Sequence, residues 1–371
     1  MNILNSGVGR TIRVNDKTLL SYFAGNNYLG LANNPLLVKN AIKALKKYGV
    51  NFAASRRTTG TSDIHLELEK SLAEYKGQQD AVVFASGYMG NKILLHVLRG
   101  RYDSIFADSM VHSSITDGIP CDIPQVKYYE HANPSHLEEL LKASPKSRPL
   151  IITDGIFALT GEIAPVDQLY SLAQKYGATL IVDDAHATGV LGENGRGTPE
   201  HFHLDNAPDL YQSETMSKAI GSYGGFIAGN HGLIEAIRKK STFYGASTAL
   251  PPPIVAAGLS SLKLIEKHPE LRTTLMNNTR MLRKGIEDLA FSTTTGSTPI
   301  IPLYFKKKQT AVHLSQFLEE NGIVAPAVDY PVKTSQFIVR ITVSSIHTET
   351  QIQHLLQTLK QWREKYDTHH H

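Results

Sequence analysis

The sequence predicts an α/β protein in which helices cover both faces of a mostly parallel sheet. Two observations support this fold class. Five short apolar runs are typical of strands buried on both faces, and helical patterns separate most of them. A chain of 371 residues is long enough for a large domain and a smaller appended one. The predicted strands lie at 81–84, 104–107, 150–152, 179–182 and 225–228.

Two helices are predicted before the first strand. Asn34-Pro35 provides an N-cap and a first-turn proline for a helix that ends near Gly49. Its apolar stripe consists of Leu36, Leu37, Val38, Ala41, Ile42 and Leu45. The second helix is predicted from about Asp63 to Lys76, with Gly77 at its end. Its inward residues are Ile64, Leu68, Leu72 and Tyr75.

The helical patterns at 233–240 and 351–366 extend the prediction to the end of the chain. We predict an N-terminal arm and first helix over residues 1–45, a large domain over 46–235 and a smaller α+β domain over 236–366. Residues 367–371 form a tail, and its closing histidines are interpreted as the remnant of an expression tag.

Composition excludes several classes of function. The formal net charge of +4 is small and dispersed, so a nucleic acid partner is not expected. No apolar run approaches the roughly 20 residues that a membrane span requires. The single cysteine, Cys121, excludes an intramolecular disulfide and a multi-cysteine metal site. We expect a cytoplasmic protein without a metal centre.

Polar residues follow the predicted strands where ligands gather in parallel sheets, at the carboxyl ends. Gly87-Tyr88 opens a helix after the first strand, where backbone amides can hold a phosphate group. His112 follows the second strand, Asp154 ends the third and Asp183 ends the fourth. We expect these residues to share one site.

Asp183, His186 and Lys218 are the groups that pyridoxal phosphate chemistry requires. The lysine would hold the cofactor as a Schiff base, and the carboxylate would keep the pyridine nitrogen protonated. Each residue also has a structural interpretation. Lys218 alone is typical of a solvated surface lysine, and His186 and His112 are compatible with core histidines. The neighbouring Gly224-Gly225 pair, which permits close backbone approach, favours a site.

Taken together, these motifs resemble the α-oxoamine synthase family of fold-type I pyridoxal phosphate enzymes. The resemblance covers nearly the whole chain, and it implies a seven-stranded sheet in the large domain. The segments that carry it are 26–31, 55–60, 65–69, 86–88, 154–157, 183–189, 195–197, 215–218 and 340–342.

The resemblance implies a role for each residue around the cofactor. Lys218 forms the covalent link and later moves the α-proton of the substrate. Asp183 binds the pyridinium nitrogen, His186 contacts the phenolic oxygen, and His112 stacks on the ring. The phosphate is held by Gly87, Tyr88 and Thr215.

The resemblance also implies substrate contacts and a partner subunit. Arg340 binds the carboxylate of the amino acid, for which a guanidinium fork is suited. Asn27 and Tyr28 line the substrate entrance. Thr248 reaches the phosphate of the neighbouring subunit, which implies a homodimer with shared active sites.

The implied reaction joins a small amino acid to the acyl group of a coenzyme A or carrier-protein thioester, with loss of carbon dioxide. Segment 183–189 is most similar to the branch that joins L-alanine to a pimeloyl thioester in biotin biosynthesis. Segment 330–332 is similar to the branch that uses glycine and an acetyl thioester, and a serine-using branch with palmitoyl thioester is a further alternative. The chain departs from its relatives at 51–54, at Ala158 in place of serine, and at Ile338 in place of arginine.

Two other functions stay open. A fold-type I aminotransferase or decarboxylase would use the same cofactor residues without a thioester. A degenerate scaffold subunit would have the fold without the chemistry, although the presence of Lys218 argues against it.

Overall fold

The computed structural model describes residues 3–14, 19–328 and 336–366. The strands are β1 (Thr11–Arg13), β2 (Leu19–Tyr22), β3 (Asp80–Phe84), β4 (Ser104–Asp108), β5 (Gln125–Tyr129), β6 (Pro149–Asp154), β7 (Thr179–Asp183), β8 (Leu210–Thr215), β9 (Gly225–Gly229), β10 (Ile300–Phe305), β11 (Ile323–Val324), β12 (Ala327–Val328) and β13 (Phe337–Thr342). The helices are α1 (Pro35–Tyr48), α2 (Asp63–Lys76), α3 (Tyr88–Val97), α4 (Ser113–Thr116), α5 (Pro134–Lys142), α6 (Val166–Tyr176), α7 (Thr198–His201), α8 (His231–Lys240), α9 (Thr242–Gly245), α10 (Pro252–Lys267), α11 (Glu270–Asp288), α12 (Lys308–Glu320) and α13 (Glu349–Tyr366).

The chain divides into two units. The larger unit consists of Asn34–Phe157 and Ile163–His268, and the smaller unit of Met1–Asn33, Ala158–Glu162 and Pro269–His371. The predicted domain boundaries near residues 45 and 235 do not coincide with these limits. Helices α1 and α2 both pack on α10, and these contacts place all three helices in the larger unit.

A seven-stranded sheet forms the centre of the larger unit, in the order β3-β9-β8-β7-β6-β4-β5. Strand β9 runs antiparallel to both of its neighbours, and the other adjacent pairs are parallel. The predicted α/β class with a mostly parallel seven-stranded sheet is therefore confirmed. Apolar side chains fill both faces of this sheet, which leaves its carboxyl edge for polar groups.

The apolar stripe of α1 is only partly buried. Leu37 and Ala44 are buried within the larger unit. Four other apolar residues of the helix are between 42% and 47% exposed, namely Leu36, Val38, Ile42 and Leu45. An apolar helix face of this kind is unusual on a surface that contacts only water.

A buried ion pair fixes the segment that leads into α2. The Arg56 guanidinium donates to both carboxylate oxygens of Glu69, with Nη1–Oε1 and Nη2–Oε2 distances of 2.9 Å each. Glu69 Oε1 also accepts the Val83 amide of β3 at 3.1 Å. The two-pronged geometry gives this pair directionality as well as charge compensation. It ties the loop, the helix and the edge of the sheet together.

Ala53 has a left-handed backbone, with φ of 50°. This conformation is costly for a residue with a Cβ atom. Ala53 lies in segment 51–54, which, according to the resemblance described above, stands in place of a glycine-rich run. We expect Ala53→Gly to raise the free energy of unfolding by about 1 kcal/mol, measured by urea denaturation. The matched control is Ala54→Gly, which changes the same side chain without a positive φ to relieve. Equal effects of the two substitutions would contradict this account.

The smaller unit contains two three-stranded sheets and α11 to α13. One sheet has the order β1-β2-β11 and the other β10-β13-β12. Arg340 lies in the middle strand of the second sheet, and the Thr342 amide donates to the Phe23 carbonyl at 2.9 Å. This hydrogen bond brings the segment after β2 beside β13, and Asn27 and Arg340 belong to the same unit.

Candidate active site

The ends of three neighbouring strands place buried carboxylates at the carboxyl edge of the sheet. Asp108 ends β4, Asp154 ends β6 and Asp183 ends β7. Asp154 and Asp183 are direct register partners on adjacent parallel strands. All three are less than a tenth exposed. Buried carboxylates require hydrogen-bond donors or a cation, so this edge of the sheet is suited to a functional site that contains such groups.

Asp183 is oriented by three donors. Its Oδ2 accepts the Asn91 amide at 2.6 Å and the Ser114 hydroxyl at 3.5 Å, while Oδ1 accepts the Ala185 backbone amide at 3.1 Å. These contacts fix the plane of a carboxylate that is 8% exposed. Such a group favours a cationic partner, and a protonated pyridine nitrogen meets that requirement.

His112 is the N-cap of α4. Its Nδ1 accepts the Ser114 amide at 3.2 Å, and its backbone amide donates to Asp154 Oδ1 at 3.2 Å. Burial lowers the pKa of the His112 ring. The Asp183 carboxylate opposes this shift, and the Lys218 ammonium group adds to it. The His112 ring is therefore held near the acid and the lysine, with its Nδ1 engaged as an acceptor.

Lys218 lies in the loop 216–224, which joins the antiparallel strands β8 and β9. The loop is closed by the Met216 amide, which donates to the Gly224 carbonyl at 2.9 Å, and by the Gly221 amide, which donates to the Lys218 carbonyl at 2.9 Å. Burial raises the pKa of Asp154 well above its usual range, and the ammonium group of Lys218 opposes that rise, which places Lys218 near this carboxyl group. Lys218 is thus a half-buried lysine in the acidic pocket, not a solvated surface lysine.

The residues predicted to hold a phosphate group lie together beside α3. A Cβ atom at Gly87, the N-cap of α3, would lie 2.7 Å from the Thr215 side chain, so only glycine fits there. Thr215 Oγ1 donates to the Gly224 carbonyl at 2.9 Å and accepts the Ser217 amide at 3.1 Å. Tyr88 begins the helix, and its ring packs edge-on against His112. The start of a ten-residue helix beside small side chains suits a phosphate group.

The turn that carries His186 is anchored by the neighbouring Asp184. Asp184 is fully buried and accepts the Thr198 amide at 2.9 Å and the Gln212 side-chain amide at 2.8 Å. A Cβ atom at Gly197, where φ is 102°, would lie 1.7 Å from an Asp184 oxygen. Asp184 therefore holds the backbone of the turn, and His186, two residues further on, is 7% exposed.

A second buried ion pair supports the same turn. Lys76 Nζ lies 3.2 Å from Glu214 Oε1, and Thr188 donates its hydroxyl to Glu214 Oε2 at 2.9 Å. Burial raises the pKa of Glu214 to about 7, against the opposing effect of Lys76. Because Glu214 precedes Thr215, this pair also fixes the end of β8.

Arg340 is held by acceptors of the smaller unit. Its Nε donates to the Ala158 carbonyl at 2.7 Å, Nη1 to Thr342 Oγ1 at 2.9 Å, and Nη2 to Asn26 Oδ1 at 3.0 Å. The residue that replaces the usual serine, Ala158, thus contributes through its carbonyl oxygen. The guanidinium plane is fixed before any substrate binds.

Asn27 and Tyr28 lie beside this arginine. Tyr28 is fully buried, and its burial raises the pKa of its hydroxyl to about 12 against the opposing effect of Arg340. Asn27 Oδ1 accepts the Ala32 amide at 3.1 Å, whereas Asn27 Nδ2 is buried and makes no hydrogen bond within the described ranges. A buried donor without an acceptor is expensive, and a substrate oxygen would satisfy it.

His347 anchors this segment and predicts an acid-sensitive fold. Its Nδ1 accepts the Ser344 amide at 3.1 Å and its Nε2 lies 2.9 Å from the Tyr22 carbonyl, an arrangement that requires the neutral ring. Burial lowers the pKa of His347 to about 4. Because the unfolded chain binds this proton at higher pH, stability is present above about pH 6.5 and is lost as pH falls towards 4.

We therefore expect His347→Gln, which keeps one donor and one acceptor, to flatten the decline in unfolding free energy between pH 7 and 4. Urea denaturation at several pH values measures that slope. His354→Gln, at an exposed position on α13, is the control. A slope in His347→Gln as steep as in the wild type would assign the acid sensitivity to other groups.

Two predictions concern residues away from these clusters. Thr248 is exposed and pairs through a single antiparallel bridge with Ser55. Its role towards a neighbouring subunit stays a prediction. The Tyr330-Pro331-Val332 segment lies outside the described residues.

Several contributors were not identified as site residues from the sequence. Asn91 and Ser114 orient Asp183, and Asn26 and Ala158 hold Arg340. The feature of the sequence that could have identified Asn91 was its position. Asn91 is a polar residue on the apolar inner face of α3, four residues after Gly87.

The larger unit fits pyridoxal phosphate on three counts. Asp183 provides a buried carboxylate for the ring nitrogen, Lys218 provides an amine, and the glycine-only start of α3 provides room for a phosphate group. Six of the residues predicted in this unit thus lie at one edge of the sheet, namely Gly87, Tyr88, His112, Asp183, Thr215 and Lys218. Among the described residues, every helix is too short or too polar to cross a membrane.

Comparison with known proteins places this geometry in a family. The sequence profile described as "Aminotransferase class I and II" matches residues 21–359. The 8-amino-7-oxononanoate synthase of Thermoanaerobacter pseudethanolicus is 37% identical over 363 residues, which cover 97% of this chain and 91% of that protein. Bacillus subtilis 8-amino-7-oxononanoate synthase 1 is 36% identical and covers 96% of this chain and 91% of its own length.

Solved structures agree. A serine palmitoyltransferase from S. paucimobilis with a bound pyridoxal phosphate–myriocin aldimine has a TM-score of 0.94 at 27% identity, covering 99% of this chain and 93% of that one. The 8-amino-7-oxononanoate synthase of Francisella tularensis has a TM-score of 0.80 at 30% identity, covering 94% and 99%. The resemblance predicted from the motifs is confirmed. The chain belongs to the aminotransferase class I and II family and, within it, to the α-oxoamine synthases.

Proposed function

We propose that this protein is a pyridoxal phosphate-dependent 8-amino-7-oxononanoate synthase, which joins L-alanine to a pimeloyl thioester. The observation that carries the proposal is the cluster of Asp183, His112 and Lys218 at the sheet edge, in a chain whose relatives have that name at 37% identity over nearly their full length. The exposed, free Cys121 is compatible with the reducing cytoplasm.

Pyridoxal phosphate, when bound, withdraws electrons from the α-carbon of the amino acid. Asp183 would keep the ring nitrogen protonated, because its carboxylate is already oriented by Asn91 and desolvated. His112 would cover the ring and exclude water, and His186 would donate to the phenolic oxygen. The phosphate would be held by Gly87, Tyr88 and Thr215.

Lys218 would have two tasks in turn. It would bind the cofactor covalently in the resting enzyme, and once displaced its Nζ would take the proton from the α-carbon of the amino acid.

The substrate carboxylate would bind Arg340, whose guanidinium is held in place by Ala158 and Asn26. Asn27 Nδ2 is a buried donor that a substrate oxygen would satisfy. The α-carbon then bonds to the acyl carbonyl carbon, the carbon–sulfur bond breaks to release the thiol, and the carboxylate leaves as carbon dioxide.

We also propose a homodimer with Thr248 at the shared boundary. Thr248 is exposed in the single chain, and the α1 face that contains Leu36, Val38, Ile42 and Leu45 is apolar and more than two fifths exposed. An apolar face of this kind is typical of a surface that a second copy covers.

Thiol release and product mass test the function. Glycine, L-alanine and L-serine are each combined with acetyl, pimeloyl and palmitoyl thioesters, presented on coenzyme A and on a carrier protein. The expected result is the fastest release with L-alanine and a pimeloyl thioester, with one carbon dioxide lost per thiol. Fastest release with glycine and acetyl thioester would instead support a glycine C-acetyltransferase. Absence of thiol release, together with amino transfer from an amino acid to a keto acid, would support an aminotransferase.

A further inference from the structure

Asp154 ends β6 inside the site, and the proposed function gives it no role. It is 3% exposed and is the register partner of Asp183 on the adjacent strand. Neighbouring strands are about 4.8 Å apart, so the two carboxyl groups are close enough to repel each other if both are ionised. One of them must carry a proton or find a cation.

The donors around the two groups are unequal. Asp183 receives hydrogen bonds from an amide side chain, a hydroxyl and a backbone amide. Within the described ranges, Asp154 receives one, from the His112 backbone amide at 3.2 Å. Ionised carboxylates in a buried site require several donors, so the negative charge is better stabilised on Asp183.

The acid on the other side of Asp154 is also well supplied. Asp108 Oδ1 lies 3.0 Å from His131 Nδ1 and accepts the Met110 amide at 2.8 Å, and Oδ2 accepts the Ala132 amide at 2.8 Å. Asp154 is on the strand between those that carry Asp183 and Asp108. Of these three carboxyl groups, it receives the fewest hydrogen bonds that would stabilise a negative charge.

We propose that Asp154 is a protonated positioning residue: one of its oxygens fixes the backbone of His112, and its neutrality leaves Asp183 as the charged carboxylate of this strand pair. The protonation and the contact with His112 are properties of the protein alone. The consequence for the cofactor rests on the proposed function.

The electrostatic environment agrees with this assignment. Burial raises the pKa of Asp154 well above its usual range, and Asp183 raises it further, while the His112 amide and Lys218 oppose the shift. The titratable groups that face Asp154 are Asp108 on β4, Tyr129 on β5, Asp183 on β7, Lys218 after β8 and the ring of His112.

Infrared difference spectroscopy of the protein without cofactor tests the proton directly. At pH 7 the wild type is expected to show the carbonyl stretch of a protonated carboxyl group. This band should be absent from Asp154→Asn and still present in the control Asp108→Asn. Because burial raises the pKa of Glu214 to about 7, Glu214 contributes its own band, and the spectra of variant and wild type are therefore subtracted. Equal carbonyl intensity in Asp154→Asn and the wild type would overturn the assignment whatever reaction the enzyme catalyses.

Cofactor affinity tests the positioning. Asp154→Asn keeps a neutral group with an oxygen acceptor, so its dissociation constant for pyridoxal phosphate should stay within about threefold of the wild type. Asp154→Ala leaves the buried His112 amide without an acceptor and should weaken binding about tenfold or more. If Asp154→Ala fails to fold, Asp154→Leu and the infrared result replace it. Equal losses in Asn and Ala variants would show that Asp154 acts as an ionised group and would refute the proposal.

Discussion

Lys218→Ala is expected to abolish covalent attachment of pyridoxal phosphate and to reduce turnover by at least about a thousandfold. A lysine that both binds the cofactor and moves a proton loses both functions in one substitution. Substituting a residue that acts as part of a catalytic unit typically lowers turnover by this factor or more. Borohydride reduction followed by peptide mass spectrometry measures attachment, and thiol release measures turnover.

Two other lysines make this result specific. Lys70 on α2 has a side chain that is 77% exposed, so Lys70→Ala is the control for a solvated lysine. Lys76 is buried in its pair with Glu214, and its peptide should stay unmodified in every variant. A reduced adduct at wild-type level in Lys218→Ala would identify a different attachment site.

Asp183→Asn is expected to weaken pyridoxal phosphate binding by about 100-fold to 4000-fold. Removing one member of a buried ion pair typically costs about 3 to 5 kcal/mol, and each 1.4 kcal/mol is about a factor of ten in affinity. Equilibrium titration of the cofactor by absorbance gives the dissociation constant.

Asp184→Asn is the comparison for that experiment. Asp184 follows Asp183 directly in the sequence. Its carboxylate accepts hydrogen bonds from the Thr198 amide and the Gln212 side chain, which belong to the scaffold. We expect this variant to lower the melting temperature more than Asp183→Asn does, with a smaller loss of cofactor affinity. Near-normal affinity in Asp183→Asn would remove this carboxylate from the ring nitrogen.

The strand-end rule accounts for what the sequence predicts well. Continuous apolar runs show where buried parallel strands end, and Asp183 and Lys218 follow from the chemistry of the residues found there. Strand β5 was not predicted because it is an edge strand with a half-exposed pattern. Strand β8 was missing from the apolar runs because it buries the polar residues Gln212, Ser213 and Glu214, which are satisfied by distant partners.

The support around each site residue was much less accessible. Asn91 reaches Asp183 across 92 residues of sequence, and Arg340 reaches Asn26 across 314. No local pattern encodes such contacts, since they depend on how helices dock on the sheet. The apolar stripe on α1 is a different case. Its periodicity predicts the helix correctly, but it gives no information about which surface covers the apolar face.

The reversal of β9 in an otherwise parallel sheet has a kinetic consequence. A parallel successor to β8 would require a long crossover, whereas the antiparallel strand lets loop 216–224 start and end on neighbouring strands. The amine of Lys218, which we propose as the catalytic group, is therefore carried by a short loop that is held at both ends. When it is released during a catalytic cycle, its Cα stays in place and only the side chain moves. The effective concentration of the amine at the reacting carbon stays high through every turnover, and recapture of the cofactor requires no search by the backbone.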